Sequence, residues 1–537
     1  MRIPVILAFA AVTIAPISAV AAPISACQVI TQSGSYELAQ DVIAPAGQIC
    51  FSIRAGDVIF DGQGHTITVD GAEALEVSDF SNTPFSNVEV RNFSSNGGVR
   101  IYGDDVAQVL FENLTVDGIS NGGGDDVTIR TNTVGPWGIS SSNNDNPAWF
   151  AYRPQILDNT ITGGSIDVKI LLEVVGGAVH PCPEIDAVVR GNVITNTRND
   201  PPPEATASVR IRCATHSLFE NNYVHSTGTT IGLYLRDESD DGSYQNNVFW
   251  TNTQEAIRIA SGNVDKTLPA RNVFQNNVFR SDAGPATFLQ GIGSQNHFEN
   301  NCLWSQLRGL INQNDGNVYL HNSFYVGTDG ESIHLLTYEQ ATADSWSDNV
   351  FSHSGPNIYD TGLFSFARYD ADYNLFQNRA GAVAFGNLGA SLGQWQSNSA
   401  AAGNPADVHS IEADPLFVDA PAGNLCLSPS SPALGAGTDG SDIGSTTCLC
   451  DGSGASGATG GAGGSGGTGL GGTAGTGGTG GGTAGQGASA APASGDATDE
   501  GGCGCRLDGQ DRTPALGLGL GLAVLALATR RRSLRRV

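Results

Sequence analysis

The chain has 537 residues, a formal net charge of −27 and only two lysines, Lys169 and Lys266. Such an acidic balance excludes the basic surface that a nucleic-acid-binding protein needs to track phosphates. The length calls for either several domains or one long repeat array.

The N-terminus carries Arg2, an apolar run over residues 5–15, and the small residues Ala19-Val20-Ala21-Ala22. That order predicts a signal peptide over residues 1–22, with the exported chain starting near Pro23. Export permits disulfides, and the cysteines from Cys27 to Cys450 are even in number. The expected set is Cys27–Cys50, Cys182–Cys213, Cys302–Cys426 and Cys448–Cys450, the first bracing the N-terminal end of the fold. No close cysteine pair faces a second pair at finger-like spacing, which argues against a zinc site.

From residue 90 onward one pattern recurs: an apolar strand, then Asn or Asn-Asn, then another apolar pair. It runs through Val90-Arg91-Asn92-Phe93, Phe111-Glu112-Asn113-Leu114, Leu157-Asp158-Asn159 and Arg190-Gly191-Asn192-Val193. It is clearest in Phe219-Glu220-Asn221-Asn222, Tyr244-Gln245-Asn246-Asn247, Phe274-Gln275-Asn276-Asn277 and Phe298-Glu299-Asn300-Asn301. Further copies end at Asn132, Asn322, Asn349 and Asn374, and the interval between copies is 19 to 33 residues. Such a period suits one coil of a solenoid, and the alternating Val, Ile and Phe positions read as strands rather than helices. Asparagine tolerates the left-handed backbone of a tight bend. Coils stacked about 4.8 Å apart would let equivalent side-chain amides bond up the stack.

The expected fold is therefore all-β: a β-helix solenoid of about twelve coils over residues 23–450. Residues 451–500 are rich in Gly, Ala, Ser and Thr and cannot bury a core, so they read as a flexible linker. Residues 501–537 hold Cys503-Gly504-Cys505, an apolar run over 515–528 and Arg530, Arg531, Arg532, Arg535 and Arg536.

Two resemblances sharpen this reading. Phe60-Asp61-Gly62-Gln63-Gly64-His65-Thr66-Ile67 resembles the first coil of right-handed parallel β-helix proteins of the pectate-lyase-like superfamily. Asp414-Pro415-Leu416-Phe417-Val418-Asp419, with Ser431-Pro432-Ala433-Leu434 and Asp442-Ile443-Gly444, resembles the closing segment of bacterial members. The C-terminal order of cysteine motif, hydrophobic stretch and arginine cluster resembles the MYXO-CTERM sorting tail. That resemblance implies processing near Cys503 or Cys505 by envelope sorting machinery and display at the cell surface.

Each coil also carries a second strand: Val99-Arg100-Ile101-Tyr102, Ile166-Asp167-Val168-Lys169, Val209-Arg210-Ile211-Arg212, Leu233-Tyr234-Leu235-Arg236 and Ile257-Arg258-Ile259. Alternation sends the apolar residues inward and the others outward. One outward column then holds Arg100, Asp167, Arg210, Tyr234 and Arg258, and a second holds Tyr102, Lys169, Arg212 and Arg236. In an acidic chain this concentration predicts a binding face for an extracellular anionic polysaccharide, with arginine forks on carboxylates or sulfates and tyrosines under sugar rings. Arg100, Tyr102, Lys169 and Tyr234 are the expected substrate-binding residues.

Beside this face, Asp237, Glu238, Asp240 and Asp241 are candidate Ca²⁺ ligands through oxygen. Resemblance to calcium-dependent pectate-lyase-like enzymes implies a lyase in which one of Arg210, Arg212, Arg236 or Arg258 takes the proton. A hydrolase would use paired carboxylates such as Asp104-Asp105, Asp125-Asp126 or Asp240-Asp241. The Gly-His-Gly and Arg-Ile-Lys motifs of polygalacturonases are absent, which disfavours that route. A non-catalytic adhesin and a structural surface spacer are the alternatives to a lyase.

Overall fold

The computed structural model describes residues 21–450 apart from 79–82, 143–150, 170–181, 199–206, 261–267, 290–294, 308–310, 313–315, 329–333, 336–343, 356–368 and 386–387. The expected signal peptide over residues 1–22, all but its last two residues, and the expected linker 451–500 and tail 501–537 with Cys503 and Cys505 lie outside the described residues. Among the described residues no helix is long and apolar enough to cross a membrane.

The chain folds as an all-β, right-handed parallel β-helix. Each coil contributes short strands to three parallel ladders. Ladder A has 15 strands, from Ala22–Ile24 to Tyr369–Asp372. Ladder B runs from Gln28–Ile30 to His334–Leu335, and ladder C from Val42–Ile43 to Ile411–Glu412. Ladders B and C merge into one 26-stranded sheet because Thr115–Gly122 and Thr133–Ser142 each run through both. Ladder A is longer than the asparagine copies suggest. Ala22–Ile24, Gly34–Leu38 and Val58–Asp61 all precede Asn92, the first copy.

The corner after ladder A divides its work between two adjacent residues. The first takes the left-handed turn: φ is 54° at Asn221, 54° at Asn246, 56° at Asn276 and 54° at Asn300. Asn92 and Asn113 hold this position too, while Thr131, Asp158, His321, Asp348 and Tyr373 hold it in other coils. The second residue is buried and forms the ladder of amides from Asn132 through Asn159, Asn192, Asn222, Asn247, Asn277, Asn301, Asn322 and Asn349 to Asn374. Asn247 shows the pattern. Its Oδ1 accepts from the backbone N–H of Asn222 at 3.0 Å and from Asn222 Nδ2 at 2.9 Å. Its own Nδ2 donates to Asn277 Oδ1 at 3.0 Å and to the Phe219 carbonyl at 3.0 Å. A second amide ladder, Asn272–Asn296–Asn317, stands before ladder A and ends on Asp344, which accepts from the Asn317 N–H at 2.8 Å.

Inside the tube, in-register coils stack like side chains on like. Phe219, Tyr244, Phe274, Phe298, Tyr319 and Trp346 form one column with ring centroids 3.7–5.2 Å apart. Each such pair adds roughly 0.5–1.5 kcal/mol beyond its area burial. The open C-terminal end is sealed by the helix Leu392–Ala401, whose Trp395 stacks on Phe385 and donates to Asp407 at 2.9 Å.

Beyond Ile411–Glu412 the chain doubles back as a strap along the corner and ladder C. Thr438 N–H donates to Asp348, Ser445 N–H to Ser323 and Thr446 N–H to Asn300. The 414–444 motifs lie on this strap. Two expected disulfides form, Cys27–Cys50 and Cys182–Cys213. The other two are corrected to Cys302–Cys450 and Cys426–Cys448. The reason is the strap's path: its return brings Cys450, not Cys426, against Cys302, where Trp304 also donates to the Ala420 carbonyl.

Replacing Asn247 by Ala removes four hydrogen bonds from a buried network and is expected to lower the unfolding free energy by about 2–4 kcal/mol. Replacing the adjacent Asn246, which supplies the left-handed turn, should cost about 1 kcal/mol as Ala and less as Gly. Chemical denaturation of both variants checks the division of labour; equal losses would contradict it.

His353 is buried in the core end of ladder C, and burial together with the Arg379 charge lowers its pKa from 6.5 to about 4. The folded state therefore favours neutral imidazole. Stability from this residue is complete above about pH 6.5 and is lost as pH falls toward 4, by about 3 kcal/mol. His353→Leu should remove that part of the acid sensitivity in a pH series of denaturation midpoints.

Candidate basic face

Ladder B brings the two predicted columns together. In the first, Arg100 pairs with Ser120, Ser120 with Ser140, Ser140 with Asp167, Asp167 with Arg210, Arg210 with Tyr234, and Tyr234 with Arg258. In the second, Lys169 pairs with Arg212 and Arg212 with Arg236. Inward partners such as Val209, Ile211, Leu233, Leu235, Ile257 and Ile259 are buried, which fixes the direction of the outward set. Arg100 and Tyr102 stand three coils away from the rest, because the coils carrying Ser120 and Ser140 intervene.

The cations are held by carboxylates. Asp167 lies 3.6 Å from Lys169 and 3.5 Å from Arg210. Asp237, nearly buried, accepts from Arg212 at 2.7 Å and lies 3.9 Å from Arg236. Glu255 holds Arg258 at 2.6 Å. Lys169, Arg210, Arg212, Arg236 and Arg258 thus face Asp167, Asp237 and Glu255, so among the described residues five cations meet three anions. Nε of Arg210 and Oδ1 of Asp167 are buried and face each other in that ion pair without closing a hydrogen bond, and buried Nε of Arg236 stands likewise to Asp237. Arg100 is different: Glu73 holds it at 3.1 Å and the buried Glu76 at 2.6 Å. Glu76 and Glu255 escaped the sequence reading. Glu76 was within reach of it, since Leu75-Glu76-Val77 alternates like its neighbours and pairs in register with Arg100.

Two expectations change. Tyr234 is only 9% exposed and lies beneath the guanidinium groups of Arg236 and Arg258, 5.5 and 5.8 Å from its ring centroid. Its ring orients arginines and is not an open platform for a sugar. The acidic run also fails to converge as a metal site. Asp237 turns to the arginines of ladder B, and Glu238 accepts from the Cys182 N–H at 3.3 Å. Asp240 and Asp241 are bound by Arg271 at 3.0 and 2.7 Å. Among the described residues no group of three or more His, Cys, Asp or Glu side chains is placed to hold a metal ion. The physical reason is the backbone: Asp237, Glu238 and Asp241 are left-handed residues of the corner between ladders B and A, which splays their side chains.

The paired carboxylates repeat one corner device. Asp125 accepts from the Tyr152 N–H and Asp126 binds Arg153; Asp240 accepts from the Ala270 N–H and Asp241 binds Arg271. Burial raises the pKa of Asp125 and Asp240, while the arginine hydrogen bonds lower those of Asp126 and Asp241. Split carboxylate pairs are one signature of acid–base catalysis. Here the split follows from a turn that recurs along the solenoid.

Solved structures resemble this chain at a distance. The A-module of the mannuronan C-5 epimerase AlgE4 of Azotobacter vinelandii is 13% identical, over 71% of this chain and 90% of its own, with a TM-score of 0.26. The periplasmic alginate epimerase AlgG is 12% identical, over 66% of this chain and 76% of its own, with a TM-score of 0.26. No protein-family model and no curated protein matches the sequence.

Proposed function

We propose that ladder B is a binding face for an anionic extracellular polysaccharide, engaging its carboxylates or sulfates through Arg210, Arg212, Arg236, Arg258 and Lys169. The observation that carries this reading is the excess of cations, among the described residues, on one in-register face of a chain whose net charge is −27. The Nε donors of Arg210 and Arg236 support it: each faces a carboxylate, at 3.5 and 3.9 Å, without closing a hydrogen bond to it. Guanidinium forks match planar oxyanions, and such charge-assisted bonds are among the stronger polar contacts.

The reading favours holding over cleaving. The arginines sit in ion pairs, and the acidic run offers calcium no common centre, so no lyase step is derived through the metal. Export through residues 1–22 and surface display through the linker and the Cys503–Cys505 tail belong to the same reading. The solenoid then acts as an adhesin that presents its basic face to a matrix or wall glycan.

The test titrates pectate, alginate and chondroitin sulfate into the full chain and into an Arg210→Gln/Arg236→Gln variant of unchanged melting temperature. Losing two charge-assisted contacts should weaken binding about a hundredfold. Equal affinity in both proteins, or no affinity for any of the three, would overturn the reading. Ultraviolet absorbance in the same mixtures, with calcium and with chelator, is expected to stay flat. A calcium-dependent rise would report unsaturated uronate ends and make the protein a lyase instead.

A further inference from the structure

Trp137 is 54% exposed, more than any other Phe, Tyr or Trp side chain whose burial is described. Isolated apolar side chains on a surface are ordinary. Two local features set this one apart.

The first is a bulge. Val116 pairs with Val134 and Gly118 with Gly138, so the single residue Asp117 is opposed by three, Gly135, Pro136 and Trp137. This insertion pushes the corner between ladders C and B outward, and bulges of this kind re-aim side chains. The bulge is pinned from another coil: Arg198 donates to the Pro136 carbonyl at 2.7 Å.

The second is the floor beneath the indole. A Cβ on Gly98 would stand 3.3 Å from Cε3 and Cζ3 of Trp137, and a Cβ on Gly118 would stand 2.6 Å from the Trp137 Cβ. The indole therefore lies back across two earlier coils, against bare backbone. Neither glycine has a positive φ; besides the indole, a Cβ on Gly98 would stand 3.1 Å from the Gly118 carbonyl oxygen and one on Gly118 3.3 Å from that of Gly138. Glycine in a strand costs roughly 0.5–1 kcal/mol relative to alanine. What these two positions gain is close approach of successive coils and, with it, room for a flat ring with its other face in solvent.

The ring borders the basic face. Gly98 directly precedes the strand Val99–Tyr102, in which Arg100 and Tyr102 point outward, and only Ser120 and Ser140 separate Arg100 from Asp167 in the column. From Arg258 to Arg100 the column spans six strand spacings, about 29 Å. That is room for several sugar rings, crossing small serines in the middle.

We propose that Trp137 is a stacking platform for a pyranose ring of the polysaccharide. It rests on the reading of ladder B as a glycan face and adds a division of labour to it. The arginine end recognises charge; the indole end recognises the apolar C–H face of a sugar ring. Tyr234 is covered by arginines, whereas Trp137 keeps an open ring face on this side of the molecule.

The test uses the full chain with two probes: uronate oligosaccharides from alginate or pectate, and polyacrylate, which has carboxylates but no ring. Trp137→Ala should weaken oligosaccharide binding about five- to tenfold and leave polyacrylate binding unchanged. Trp137→Tyr should recover part of the loss. Gly118→Ala, which displaces the indole, should weaken oligosaccharide binding in the same direction. Oligosaccharide should change the tryptophan fluorescence of the parent chain, and the change should vanish in Trp137→Phe. If Trp137→Ala binds the oligosaccharide as tightly as the parent while Arg210→Gln/Arg236→Gln loses both probes, the platform is refuted and the basic face stands. If neither polyanion binds but a neutral glucan gives a Trp137-dependent fluorescence change, the charge reading falls and the platform stands. Silence from every probe refutes both.

Discussion

The buried amides from Asn132 to Asn374 hydrogen-bond to one another up the solenoid, each Oδ1 from Asn159 onward receiving two N–H groups from the coil before. A backbone corner would otherwise leave polar groups buried and unpaired, at a cost of about 1–3 kcal/mol each. Once each amide is tied to the next, no coil can slip against its neighbour without breaking several bonds at once. Register then holds everywhere else. Phe219 stacks on Tyr244 in the core, and Arg210 stands beside Tyr234 on the surface. A slip of one residue would turn the arginines inward and the isoleucines outward. The ladder thus acts at a distance: a row of neutral amides at one corner determines which charges share a face of ladder B.

On that face the energetics are those of partial burial. Arg212 and Arg258 are close to carboxylates and only about a quarter exposed, so their ion pairs are worth more than the loose pairs of an open surface. Asp237 serves two arginines, and Tyr234 lies under two guanidinium groups. The result, among the described residues, is an ion-paired surface with more cations than anions, opposite in sign to the chain as a whole. Side chains already ordered in this way lose little freedom when an anion binds, which favours affinity.

Most of the fold was legible because a solenoid repeats its reasons. The Asn-Asn strings marked the corner, and the alternation in Val209-Arg210-Ile211-Arg212 gave the outward columns residue by residue. Three things were not legible. The separate roles of the two corner residues need a backbone angle, which Asn246 and Asn247 do not disclose by type. The strap's return path decides that Cys302 meets Cys450, and no spacing along the chain encodes it. The acidic run over 237–241 looks like a calcium loop in one dimension. Its left-handed residues scatter the carboxylates in three. The cap helix Leu392–Ala401 was missed as well, since Trp395 and Leu392 bury a weakly amphipathic face that lacks a long apolar stripe.

The account stands on the claim that stacked register makes ladder B a polyanion face. Its most direct test is the dependence of binding on salt for an anionic polysaccharide and the full chain. The account predicts that the logarithm of the affinity falls linearly with the logarithm of salt concentration, and that the slope becomes shallower when Arg210 and Arg236 are replaced by glutamine. An affinity indifferent to salt, or a slope that the two replacements leave unchanged, would contradict it.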